Sequence, residues 1–154
     1  MTTQIASKKF ETMIKSLVPM IEYAQIEVVE LNDEEAIVKI PLIQENKNHL
    51  NSMYFGALSV GADVSGGILA LYFAKKAGKH VAIVFKDFKA DFLKRANDDV
   101  LFVCREGRAV EQLIQQAIES GERQNLPVHI EAISDSTEEV VAKFVLTLSV
   151  KLAS

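Results

Sequence analysis

The sequence has a single cysteine, Cys104, among 154 residues. No internal disulfide can form, and a reducing, cytoplasmic compartment fits that cysteine usage best. A basic excess is missing as well. Lys and Arg number 17 against 21 Asp and Glu, a formal charge of -4, whereas a nucleic-acid binder shows a cationic excess or stripe. The opening residues, MTTQIASKKFETMIKSLVP, contain no apolar run of signal-peptide length. Motif chemistry is equally sparse. GALSVGAD begins like a phosphate loop, but no Lys-Ser/Thr pair follows its second glycine, and no GxGxxG occurs. DVSGG lacks the glycine two before Ser65 that a nucleophile elbow needs. The three histidines, His49, His80 and His129, have no metal-ligand spacing. These gaps argue against nucleotide, serine-hydrolase and zinc chemistry, and nothing in the residues calls for a cofactor.

What is present reads as one domain over residues 1–154, long enough to bury a core without staples. Glycine is scarce and unevenly placed: four of the seven fall between Gly56 and Gly67. From Phe55 to Ala74 the only side chain charged at neutral pH is Asp63. That stretch is long enough to cross a bilayer. Asp63 would then sit near mid-membrane, at a cost of roughly 2.5 to 3.5 kcal/mol on insertion scales. The rest of the chain alternates like a sheet that needs one face covered, so a buried helix is the better reading and no membrane span is expected.

Around this segment the pattern predicts a leading amphipathic helix with Phe10, Met13, Ile14 and Leu17 on one face, stopped by Pro19. Two strand-like runs follow at 24–31 and 35–42, joined by the turn signal NDE. The central helix should end near Gly78, after Lys75 and Lys76. Beyond it, Val81, Ile83 and Phe85 alternate in one phase and Phe88, Ala90 and Phe92 in the other, which predicts a bulge near Lys86 and Asp87. A strand at 100–106, a helix near 107–120 and two strands, VHIEAISD and EEVVAKFVLTLSVKL, complete the order. One antiparallel sheet curved around a buried helix satisfies the pattern, an α+β arrangement. Gly56, Ala57, Gly61, Ala62, Gly66 and Gly67 would keep that helix thin, each glycine costing about 1 kcal/mol of helix propensity relative to alanine.

Asp63 has two readings on the residues alone. A carboxylate two turns into a buried helix is either a structural acceptor for backbone N–H groups or a general base or nucleophile beside a cleft. Asn48, taken alone, reads as a polar loop residue, and Cys104 as an ordinary small strand residue.

NHLNSMYFGALSVGADVSGG resembles the central-helix signature of the hotdog-fold thioesterases, nearest to the phenylacetic-acid-degradation type and related thioesterase-like domains. KADFLKRANDDVLF is similar to the family's strand that carries an apolar-aromatic pair before a polar turn. The likeness covers nearly the whole chain and implies a hotdog fold and a homodimer or homotetramer with active sites at the dimer interface. It also implies hydrolysis of an acyl thioester carried on coenzyme A or an acyl carrier.

Asn48 and Asp63, fifteen positions apart, stand where the family has its asparagine and its acid. The resemblance makes Asp63 the base or nucleophile, Asn48 the group that orients water or thioester, and the Phe55 and Gly56 N–H groups the oxyanion donors. Tyr54 replaces the family histidine and Phe55 its first glycine. Those two aromatics favour an alternative, a catalytically silent acyl-thioester binding module on the same fold. Tyr54, Lys94 and Arg95 would contact substrate, the two cations at the cleft mouth. The 107–120 helix departs from the simplest hotdog domains and reads as extra core cover. A hydratase would need a histidine–carboxylate pair, and His49 is the only histidine close to the motif.

Overall fold

The computed structural model describes residues 3–153. Helix α1 (Thr3–Leu17) leads into a short helix α2 (Pro19–Tyr23). Pro19 therefore opens a helix as well as ending one, because its missing N–H falls at a first-turn position that has no partner in any case. Phe10 and Ile14 face the core as expected, but Leu17 is 64% exposed. It sits in the last turn before the chain redirects at Val18, whose backbone is extended.

The strands are β1 (Glu27–Leu31), β2 (Ala36–Ile40), β3 (Val81–Phe92), β4 (Val100–Cys104), β5 (Gln124–Ser134) and β6 (Val140–Leu152). They form one antiparallel sheet in the order β1-β2-β4-β5-β6-β3. The β1–β2 turn is held by Asn32, whose Oδ1 accepts the N–H groups of Glu34 at 2.8 Å and Glu35 at 3.0 Å. In β3 the predicted phase slip is a register shift between Phe85 and Asp87. Strand β5 begins four residues before the expected VHIEAISD, with Pro127 inside it. Proline fits there because β4 pairs with β5 only from Glu131 onward, so the missing N–H lies where no neighbour asks for it.

Helix α3 (Phe55–Lys76) lies in the hollow of this sheet and packs on β2, β3, β4, β5 and β6. Among the described residues it is the one helix long and apolar enough to cross a membrane, and here it is the core helix. It ends where expected, with Gly78 in the left-handed region at φ +70°. The thin-helix reading holds at Gly61, where an added Cβ would lie 2.3 Å from the ring of the fully buried Phe102. It fails at Gly67, where a Cβ would meet only the Phe85 ring at 3.6 and 3.7 Å, ordinary contact distances.

Helix α4 (Gly107–Ser120) turns Val110, Leu113, Ile114 and Ala117 into the core. It covers α3, β5 and β6, which bears out the core-cover reading. Cys104 is fully buried and burial pushes its thiol up to about 12.

Candidate active site

Two of the cavities along α3 take all the expected site residues but Gly56, whose side-chain space is filled by the Tyr54 ring. The first, about 530 Å³, lies at the start of the helix. It brings together Asn48, Tyr54, Phe55, Lys94 and Arg95, five of the seven positions the sequence pointed to, along with His49, Phe92 and Leu93. The loop before α3 is held by buried Asn46, which sequence reading passed over. Its Nδ2 donates to the carbonyls of Ala24 at 2.9 Å and Pro41 at 3.0 Å, and its own carbonyl accepts the Tyr54 N–H at 2.8 Å. That clamp sets the point at which the chain enters the helix.

Tyr54 supplies no side-chain cap, and the first intrahelical bond runs from the Leu58 N–H to the Tyr54 carbonyl. The N–H groups of Phe55 and Gly56 therefore have no intrahelical partner and sit at the positive end of the helix dipole. No acidic side chain in the first turn competes for them. The Tyr54 and Phe55 rings pack together at 4.9 Å, and Phe55 meets Phe92 edge-on at 6.2 Å. Phe55 nevertheless remains 59% exposed, so this end of the helix presents an uncovered aromatic patch.

Asn48 has both the ordinary and the chemical features expected of it. Its Oδ1 accepts from the N–H groups of Leu50 and Ser52 and from the Ser52 hydroxyl, which is turn geometry. Its Nδ2 makes no hydrogen bond within the described residues, leaving an amide donor at the cavity. Lys94 is not a free cation, because it pairs with Glu139. Arg95 is exposed and unpaired among the described residues, and it is the cation at this mouth left for an anionic group.

Asp63 is not in this cavity. It lies eight residues further along α3, about 12 Å by helical rise. There it lines a second cavity of about 430 Å³ with Leu17, Val18 and Ile21 at the α1–α2 junction, Gly67 and Ile68 on α3, and Ile83 and Phe85 on β3. Asp63 is the only charged side chain in that lining. Its carboxylate makes no hydrogen bond or ion pair with the described residues, so the structural-acceptor reading of this residue is overturned. Asp63 is exposed at the cavity mouth, and the apolar walls on its inner side disfavour the charged form and raise its pKa. A carboxylate with raised basicity, no internal partner and an opening beside it is free to take a proton from a bound molecule.

Neither cavity contains a histidine–carboxylate pair. His129 and Glu106 do approach, at 3.3 Å, but as an exposed pair that lines neither cavity. Within one protomer the hydratase reading has no geometric support.

A six-stranded antiparallel sheet curved around one long helix, with both cavities opening along that helix, is the hotdog fold. The sequence matches the family described as domain of unknown function DUF4442 over residues 6–150, and the chain belongs to that family. No curated protein matches it. Among solved structures, a protein of unknown function from Chlorobaculum tepidum superposes with a TM-score of 0.85 at 12% identity, covering 99% of this chain and 98% of the other. A protein from Shewanella oneidensis, provisionally assigned as a thioesterase, gives 0.81 at 17% identity, with 94% and 96% covered. A thioesterase from Haemophilus influenzae gives 0.66 at 15% identity, with 99% and 92% covered. At these identities the likeness is one of fold.

Proposed function

We propose that the chain is an acyl-thioester hydrolase, with acyl-coenzyme A as its substrate class, acting as a homodimer whose sites are shared between subunits. The observation that carries this reading is Asp63, a carboxylate of raised basicity with no internal partner at the mouth of an apolar cavity. The thioesterases among structures of the same fold support it.

In one protomer the oxyanion donors and the carboxylate lie too far apart to act on one carbonyl. Symmetry repairs this. Strand β3 is a sheet edge, with Val84, Phe88 and Phe92 exposed along it. An uncovered apolar edge is a template for pairing with another chain. The β3 residues at the two cavities, Val84 and Phe92, are equally far in sequence from Phe88. An antiparallel twofold near Phe88 would therefore set the Asp63 cavity of one subunit beside the helix start of the other.

In the joined site, Asp63 takes the proton of a water molecule whose oxygen attacks the thioester carbonyl. The Phe55 and Gly56 N–H groups of the other subunit hold the developing oxyanion, and the Asn48 amide orients the water or the carbonyl. The C–S bond then breaks and the proton passes from Asp63 to the departing sulfur, leaving a free acid and a thiol. Arg95 would pair with a phosphate of the carrier. A silent binding module retains one observation in its favour, the Tyr54–Phe55 ring pair lying over the helix start. Thiol release over a panel of acyl-CoA chain lengths decides between them. Turnover is expected, and saturable binding without release would select the binder.

A further inference from the structure

The Gly67 clearance and the Asp63 cavity together carry a statement about substrate. We infer that the Asp63 cavity holds the acyl chain, that this chain is an unsubstituted aliphatic one of medium length, and that Gly67 sets its limit. The inference rests on the thioester-hydrolase reading for its reaction, but not for its binding.

Gly67 is not required by packing. Gly61 on the same helix excludes a side chain by collision with Phe102, whereas a Cβ on Gly67 finds ordinary contact with Phe85. What glycine does at 67 is leave the cavity open. Apart from Asp63 the walls are apolar side chains, with Ile68 and Phe85 beside Gly67 and Leu17 and Val18 closing from the α1–α2 junction. No lining side chain other than Asp63 offers a hydrogen bond, so a hydroxylated or carboxylated acyl group would be buried without a partner, which is unfavourable.

Size gives the length. A methylene takes about as much room as a water molecule, roughly 30 Å³. A cavity of 430 Å³ therefore admits a dozen or so such groups. With room kept for the carbonyl and its sulfur beside Asp63, the chain is about ten to twelve carbons long. A leucine at 67 would occupy the space of about four of them. Each buried methylene is worth about a fourfold preference.

The test compares wild type with Gly67→Leu and Gly67→Ala on butyryl- to dodecanoyl-CoA, with binding of the neutral amides decanamide and hexanamide measured by calorimetry and folding checked by circular dichroism. The decanoyl-to-butyryl ratio of kcat/KM is expected to fall about 250-fold in Gly67→Leu and a few-fold in Gly67→Ala. Decanamide binding should weaken in parallel while hexanamide binding changes less. An unchanged ratio in a folded variant overturns the inference and leaves the hydrolase reading standing. If wild type releases no thiol from any acyl-CoA, the hydrolase reading fails. In that case decanamide binding lost on Gly67→Leu still supports the cavity assignment, and absence of decanamide binding overturns it. Should Gly67→Leu not fold, the Gly67→Ala ratio decides.

Discussion

Gly61→Ala and Gly67→Ala make the same chemical change six residues apart on one helix, and the structure predicts opposite signs. Each replaces glycine by alanine in a helix interior, which gains about 1 kcal/mol of propensity. At Gly67 the new methyl meets Phe85 at ordinary van der Waals distance, so most of that gain survives. At Gly61 three atoms of the Phe102 ring lie at 2.3, 2.4 and 2.5 Å from the new Cβ, and something must move. Phe102 is fully buried and its ring lies 6.4 Å from that of Phe144, so it has little room to swing away. Overpacking of a close-fitted core costs typically 1–3 kcal/mol, and a collision this deep belongs at or above the upper end, about 3 kcal/mol. The net loss is about 2 kcal/mol, a melting temperature lower by roughly 4–8 °C for a chain of this length. Gly67→Ala should instead melt about 1–4 °C higher. Urea and thermal unfolding followed by circular dichroism measure both. A Gly61→Ala variant as stable as wild type would refute the claim that the helix is thin because the sheet closes on it.

Further outcomes follow from three side chains. Burial holds the Asp63 pKa above its ordinary value, so the folded chain binds that proton more tightly than the unfolded chain does. Stability therefore falls as pH rises from the ordinary aspartate range through the raised value, and Asp63→Asn should flatten that fall and melt higher at neutral pH while losing turnover. The wild-type kcat/KM should rise with pH along an acid limb whose midpoint lies above the usual aspartate range, and a flat profile across that limb would contradict the assigned base. Phe88→Asp should sediment as a monomer with its circular dichroism intact, and a persisting dimer would rule out the β3 twofold. Native Cys104, with its thiol held near 12, should resist iodoacetamide at pH 8 and react only on unfolding, as alkylation time courses with and without urea would show.

Much of the fold was legible because its signals are local. The phase slip in β3 survives as a register shift between Phe85 and Asp87, and the Lys75-Lys76-Gly78 ending of α3 needs only helix-end chemistry. Five of the expected positions line one cavity because Asn48, Tyr54 and Phe55 lead into α3 and the end of β3 brings Lys94 and Arg95 beside them. Three features were not visible for physical reasons. Pro127 reads as a strand breaker until the sheet shows that β4 has ended beside it. Gly61 and Gly67 look alike in sequence, and only the distance to Phe102 or Phe85 separates a packing glycine from one that leaves a cavity. Asn48 and Asp63 fall in different cavities because Asp63 lies two turns along α3, and the walls that α1, α2 and β3 add around it are long-range packing that spacing along the chain does not encode.

Subunit complementation tests the shared site directly. Asp63→Asn and Asn48→Ala, each inactive alone, are unfolded together, refolded as an equal mixture and assayed for thiol release from decanoyl-CoA. If each site takes Asp63 from one subunit and Asn48 from the other, half the dimers are mixed and each mixed dimer has one intact site. The mixture should then recover about a quarter of wild-type activity. A mixture as inactive as its two components would rule out a site that takes Asp63 from one subunit and Asn48 from the other.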